Sequence, residues 1–230
     1  MSGDKPNSQY NIARADSLSM KVAHRQRLAM YRLFVENSVA SERDTILDVG
    51  ATSDQTYSAS NYIELWYPHK SNITAVGLDD ASHLEAQFPG IKFVKGDGTD
   101  LPFEDKSFDV AHSSAVLEHV GSKESQARLI LECTRVARKS VCLTTPNRWF
   151  PIEVHTSIPF LHWLPKPVFR RLLRNSKLDF FSHEENLNLL TERGLLSLAN
   201  EISDWDWRVQ KVRLAGVTSN LVLIGHRHAG

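Results

Sequence analysis

Cysteine is nearly absent from this chain. Cys133 and Cys142 are the only two in 230 residues, so no disulfide framework holds the fold together. No CxxC pair occurs, which removes the common zinc patterns, and no metal site is expected. Net charge is missing as well: 27 basic side chains balance 27 acidic ones. A broad basic surface for nonspecific nucleic-acid binding is thereby excluded, although a local basic patch is not. No apolar run approaches the length of a bilayer-crossing helix. The opening MSGDKPNSQYNIARADS lacks the apolar centre of a secretory leader. Repeats and low-complexity segments are also lacking. What remains is ordinary globular composition, 41% hydrophobic and 23% charged, at a size suited to one large domain. The expectation is a soluble cytoplasmic protein with reduced thiols.

Residues 1–16 are polar and aperiodic and read as a flexible N-terminal arm. The remainder, 17–230, reads as a single domain. Ser17 is placed to cap a helix running to about residue 39, with Ala23, Met30, Tyr31 and Phe34 on one face. Short apolar strands then alternate with helical stretches. Strands are expected at 45–49, 73–78, 91–94, 108–112 and 140–144, and helices at 58–66, 82–88 and from Ser122 onward. In the last, Ala127, Ile130, Leu131, Thr134 and Ala137 fall on one helical stripe. Ser182-His183-Glu184-Glu185 resembles a capping box for a helix stopped by Gly194. Two final strands are read at 195–201 and 220–226. Such alternation implies βαβ units and a doubly wound, mostly parallel sheet covered on both faces.

In an open α/β sheet, ligands bind beyond the carboxyl ends of the strands. Three carboxylates stand there: Asp48 at the end of the first strand, Asp79 or Asp80 after the second, and Asp97 after the third. A carboxylate closing the second strand suits the two donors of a ribose diol. Asp97 is suited to an exocyclic amine such as adenine's, with Leu101 and Phe103 as apolar contacts for a flat ring. Each alone is an ordinary strand-end turn residue; three in succession favour a nucleoside site.

The segments TILDVGA, AVGLDDAS, IKFVKGDGTDLPF and SFDVAHSSAVLEHV, in this order and spacing, resemble the successive motifs of class I S-adenosylmethionine-dependent methyltransferases. The similarity is closest to the type 11 branch of quinone and small-molecule methyltransferases. This resemblance implies a seven-stranded Rossmann-like sheet with the last strand antiparallel, and S-adenosyl-L-methionine as cofactor. It implies Asp48, Gly50 and Thr52 at the loop beside the methionine moiety, Asp79 on the ribose, and Asp97 with Gly98 at the adenine. It also implies Ser113 and Ser114 facing the sulfonium and amino group. One departure is plain. Thr52 and Asp54 stand where the family loop carries its second and third glycines. Hydroxyls of Thr52, Ser53 and Thr56 are the candidates to replace the lost backbone approach.

The acceptor side is expected in the segment 147–181, rich in proline and aromatics and read as a wall and lid. Glu153 and His155, two apart and so on one face of an extended chain, are the sharpest base candidates, with His119 as the other. Their structural alternative is loop tethering. His112, inside a strand pattern, is expected to be structural. The stretch 167–174 reads as a lid helix with Arg170, Arg171 and Arg174 in solvent; contact with a membrane surface or a lipid-like acceptor is the less favoured reading. Trp205 and Trp207 suit either a sugar pocket or loop packing.

The leading expectation is an enzyme that methylates a small-molecule acceptor, with oxygen preferred over a quinone-like carbon or a glycan hydroxyl, and with no nucleic-acid partner. The alternative is a non-catalytic, regulatory nucleoside binder with a degenerate loop. A nicotinamide-dependent oxidoreductase is a third class, disfavoured because Gly50-Ala51-Thr52-Ser53-Asp54-Gln55 keeps only the first glycine of G-x-G-x-x-G.

Overall fold

A computed structural model of the chain describes residues 18–55, 57 and 59–228. The expected arm at 1–16, the Ser17 cap and the Thr56 hydroxyl lie outside the described residues. Helix α1 (Leu18–Ser38) leads into β1 (Ile46–Val49), α2 (Tyr62–Trp66), β2 (Ile73–Gly77), α3 (His83–Gln87) and β3 (Lys92–Lys95). Then come β4 (Phe108–Ser114), α4 (Lys123–Val136), β5 (Ala137–Pro146), α5 (Lys166–Leu173), α6 (Glu192–Ala199), β6 (Trp205–Leu214) and β7 (Val217–Arg227). The seven strands form one sheet in the order β3-β2-β1-β4-β5-β7-β6. Strands β1 to β5 pair in parallel, and β7 runs antiparallel to both β5 and β6. The order reverses between β1 and β4, so the carboxyl ends of these two strands flank the crevice where ligands bind on such sheets.

Strand alternation divides the core into two layers. Leu47, Val49, Ala111, Val141 and Leu143 face α4 and α6 and pack on Leu129, Ile130, Cys133, Leu195 and Leu198. Ile46, Ala75, Val110 and Cys142 face the other way, against Met30 and Phe34 of α1 and Tyr62 and Ile63 of α2. Both cysteines are fully buried thiols. Ser122 caps α4 as its sequence suggests, accepting from the Ser125 amide at 3.2 Å. Among the described residues, no helix is long and apolar enough to cross a membrane.

The C-terminal third departs from expectation. The capping box at Ser182 starts no α-helix; residues 179–182 form a single 3₁₀ turn. The helix begins instead at Glu192, capped by Thr191, whose hydroxyl accepts from the Gly194 amide at 3.1 Å. Gly194 therefore lies inside α6 and does not end it. Residues 195–201, read as a strand, belong mostly to that helix. Leu195, Leu198 and Ala199 are buried at helical spacing, and a short apolar run is ambiguous between the two periods. The missing strand is β6, which carries Trp205 and Trp207. These rings stack on each other at 5.7 Å. A Cβ on Gly225 would lie 2.4 Å from the Trp207 ring, so glycine there lets the ring cross β7. The tryptophans are core elements, which removes the sugar-pocket reading.

Candidate active site

Asp48 is the penultimate residue of β1 and His112 lies directly beside it in the register of β4. Neighbours across a parallel ladder point to the same face, so the two side chains meet. His112 Nδ1 and Asp48 Oδ1 are 2.5 Å apart, and Tyr62 Oη lies 2.9 Å from His112 Nε2. With the tyrosine donating, His112 is neutral and its Nδ1–H donates to Asp48. Burial pushes the Asp48 carboxyl up to about 7 and His112 down to about 3. Glu64 of α2 is fully buried beside them. Burial and then the Asp48 charge hold its pKa well above the carboxylate range. Two adjacent buried carboxyls resist simultaneous ionisation, so this corner retains a proton near neutral pH.

Above this cluster the chain turns at Gly50, whose φ is +99°. A Cβ there would come within 2.1 Å of Val116 Cγ2, so both conformation and space require glycine. Asp48, Gly50, Asn61, Tyr62, His112 and Ser114 share one small pocket. The loop beyond is tied internally. The Gly50 and Ala51 amides donate to the Val76 carbonyl. The Thr52 amide donates to Asn61 Oδ1 at 2.9 Å and the Asn61 amide returns a bond to the Thr52 carbonyl. The Asp54 amide donates to Thr52 Oγ1 at 3.0 Å. Asn61 and Thr52 thus brace the loop where the family has glycines. Nearby, the Arg27 guanidinium of α1 sits 4.3 Å from the Tyr57 ring.

The other expected cofactor residues stand at neighbouring strand ends. Asp79 is exposed just past β2. Asp80 is engaged in a local turn: it accepts from the Ser82 amide at 2.9 Å, and that bond lowers its pKa. Asp97 is exposed, but its Oδ1 accepts from the amide and the hydroxyl of Thr99. Leu101 is buried in the core and so offers no surface to a flat ring, while the half-buried Phe103 packs edge-on against Phe108 at 5.1 Å. Gly98 is squeezed between Leu129 and Val49. Ser113 is buried, its hydroxyl without a partner among the described residues, while Ser114 Oγ lies 2.9 Å from Thr144 Oγ1.

The three base candidates converge. His119 Nδ1–H donates to the Asn186 carbonyl at 2.7 Å, which leaves Nε2 as an acceptor, and His155 Nε2 is 3.1 Å from it. His155 Nδ1 in turn meets Glu153 Oε1 at 2.6 Å. With both ring nitrogens donating, His155 is the imidazolium. Burial raises Glu153, but bonds from the His155 ring and from the His155 and Thr156 amides outweigh it and hold the carboxyl at about 2. Burial likewise opposes charge on His155, and Glu153 overrides it, raising the imidazole. Burial and then the charge on His155 depress His119 to about 4. Glu118, not singled out by its sequence context, is fully buried beneath this line. It accepts from Thr145 Oγ1 at 2.9 Å, and burial pushes it up to about 7. His119 follows β4 in the 3₁₀ turn 117–119, and Glu118 is tied to Thr145 near the end of β5.

The chain is similar to known proteins in part of its sequence and in its fold. Residues 47–143 match a family described as "Methyltransferase domain". A protein of Mycobacterium tuberculosis described as "Probable S-adenosylmethionine-dependent methyltransferase" is 34% identical over 80 residues, 33% of this chain and 28% of the relative. The match thus spans little more than a quarter of that relative's length. Among solved structures, an S-adenosylmethionine-dependent methyltransferase from Mesorhizobium loti superposes with a TM-score of 0.60 at 14% identity, covering 94% of this chain and 100% of the other. The cyclase SpnF superposes at 0.59 with 14% identity, over 96% and 86% of the two chains. At such identities these superpositions establish the fold.

Proposed function

We propose that this chain, which carries a class I S-adenosylmethionine-dependent methyltransferase domain, transfers a methyl group to a hydroxyl of a small-molecule acceptor. The supporting observation is that the His119–His155–Glu153 line lies in the segments that follow β4 and β5, with Glu118 bound to Thr145 and the pocket residue Ser114 bound to the adjacent Thr144.

The residues present fit the cofactor. Its ammonium and sulfonium are cationic, and the Asp48–Glu64 corner offers negative charge on release of its proton. The buried Ser113 hydroxyl has no partner among the described residues and is within the same strand end. Asp79, exposed just past the end of β2, takes the ribose hydroxyls. Asp97 and Gly98 take the adenine edge. Thr52 keeps the loop in place through Asn61, and Arg27 supplies the cation for the methionine carboxylate that Asp54 would otherwise repel. When bound, S-adenosylmethionine supplies an electrophilic methyl group.

The acceptor proton is the chain's own task. Glu153 orients the His155 ring and holds its Nδ1–H. His119, fixed as the Nδ1–H tautomer, presents its Nε2 lone pair toward His155. Once His155 loses its extra proton, the pair accepts one from the acceptor hydroxyl. Positioning of the hydroxyl against the methyl carbon contributes the rest. Titration calorimetry with S-adenosylhomocysteine, then methyl transfer to a panel of phenols and sugars, tests this; no binding of either cofactor form would sink it.

A second reading is a regulatory nucleoside binder. It is favoured by the internal bonds that occupy the amides of Gly50, Ala51, Thr52 and Asp54. Cofactor binding without turnover on any acceptor class supports this one.

A further inference from the structure

The large apolar side chains at the surface are unevenly distributed. Nine of the twelve exposed ones among the described residues lie between Trp149 and Leu172. Three of them meet ring to ring. Trp163 lies 6.2 Å from Trp149 and 4.8 Å from Phe160, ring to ring. Helix α5 continues the patch. Phe169 and Leu173 turn inward onto Phe181, Leu187 and Leu189, while Val168 and Leu172, one turn apart, face solvent. A helix with a second apolar stripe outside the core has something left to cover.

Charge gathers around the same patch. In a chain with no net charge, residues 148–177 hold six basic side chains and a single acidic one, the buried Glu153. Arg170 is paired with Glu184 at 3.1 Å. Arg171, Arg174 and Lys177 are exposed and make no ion pair among the described residues. The patch lies at the functional end of the sheet. It leaves the carboxyl end of β5 at Asn147, whose amide donates to the Ser219 carbonyl at 2.8 Å, and it carries Glu153 and His155 within it.

We propose that this face, formed by residues 149–174, seats the protein on an anionic lipid surface. Exposed tryptophans and aliphatics enter the headgroup boundary while Arg171, Arg174 and Lys177 meet anionic headgroups. A second copy of this chain is the poorer occupant, because pairing the patch with itself would bring these cations together. Seating here turns the acceptor side of the site toward the bilayer, which makes an amphiphilic, lipid-carried acceptor the substrate class. That last step rests on the methyl-transfer reading; the seating does not.

Vesicle flotation tests it. The wild-type protein is expected to float with equimolar phosphatidylcholine and phosphatidylglycerol vesicles, less so as salt rises, and not with phosphatidylcholine alone. R171Q/R174Q should lower partitioning on the order of 30-fold, about fivefold per cation. Leu172→Asp should also abolish flotation, with an unchanged melting temperature because the side chain is exposed. Failure of the wild type to float, or unchanged flotation of R171Q/R174Q, overturns the proposal. So does a wild-type dimer in sedimentation velocity that Leu172→Asp dissolves, which would place a second copy on the patch. Calorimetry with S-adenosylhomocysteine on the same preparations separates the two ideas. A loss there in the wild type counts against methyl transfer and leaves the flotation result standing.

Discussion

Among the described residues, two buried carboxyl–histidine pairs lie within hydrogen-bond distance, one at the end of β1 and one after β5, and they are poised oppositely. Asp48 and His112 approach to 2.5 Å, Glu153 and His155 to 2.6 Å. Yet Asp48 is pushed up to about 7 and Glu153 is held at about 2. Burial raises both carboxyls, so burial is not what separates them. Glu153 also accepts the amides of His155 and Thr156, donors that favour the ionised form. On Asp48 the one lowering contact is a hydrogen bond with Glu64, and burial outweighs it. The lesson is that contact distance does not set the charge state of such a pair; the remaining lone pairs and neighbours do. The first pair stores a proton, and the second is an ion pair.

The strongest way to break this comparison is at His155. If the ion pair handles the acceptor proton, His155→Ala lowers turnover by roughly 10²–10⁴-fold and leaves cofactor affinity alone. Wild-type activity should rise with pH, its rising limb displaced above the ordinary histidine value because Glu153 raises the imidazole. A flat pH profile with near-normal turnover in the variant would leave His155 a structural tie.

Glu153→Ala attacks the same pair through stability. It strands a buried imidazolium and the Thr156 amide, at a cost of about 3–5 kcal/mol in denaturant unfolding. The cost should depend on pH. A carboxyl held below its ordinary value stabilises above about 4.5 and loses that contribution as pH falls toward 2. Equal destabilisation of the variant across that window would show that packing, not charge, is at stake.

Asp79→Ala should give the mirror image of His155→Ala. Affinity for S-adenosylhomocysteine is expected to drop on the order of 10- to 100-fold, the range for hydrogen bonds to a charged group. Asp80→Ala should leave it nearly unchanged. A loss in Asp80→Ala alone would exchange the two roles.

The smallest effect is expected at Glu64→Gln. A carboxyl whose pKa is raised on folding contributes most below its ordinary value, and that contribution is lost as pH rises through the folded value. The variant should therefore melt higher than wild type near pH 8, by roughly 1 kcal/mol of stability, with the gain vanishing near pH 4. A loss of stability at both pH values would mean that the Glu64 carboxyl is needed as an acceptor.

Local pattern carried most of the fold. Strands β1, β2 and β4 are short apolar runs with turn residues at their ends, and α4 announces itself through Ser122 and one apolar stripe. Reading failed where a signal had two physical solutions. Ser182-His183-Glu184-Glu185 has the composition of a capping box, but Thr191 caps the actual helix. Residues 195–201 satisfy strand and helix alike, and Leu195 and Leu198 pack as a helix only because α4 lies opposite them. Trp205 and Trp207 suggest a ligand surface until Gly225 is seen to make room for one of them.

For the site, order along the chain was enough to bring Asp48, Asp79 and Asp97 to successive strand ends, since a parallel sheet places every such end on one edge. His119, His155 and Glu153 were legible as residue types. Their assembly into one line was not, because it joins the loop after β4 to the segment after β5 and to the Asn186 carbonyl, 67 residues from His119. Glu64, Glu118 and Asn61 gave no signal in sequence. An acid within a short helix or loop looks solvated until packing buries it, and an asparagine looks like a turn residue until it braces Thr52. Chain order, apolar periodicity and strand-end chemistry are local properties, so the sequence alone determined the sheet and which carboxylates stand along its edge. Charge states depend on which groups become neighbours and what water they exclude. Those, with the exposed apolar face beyond β5, were decided only by the tertiary structure.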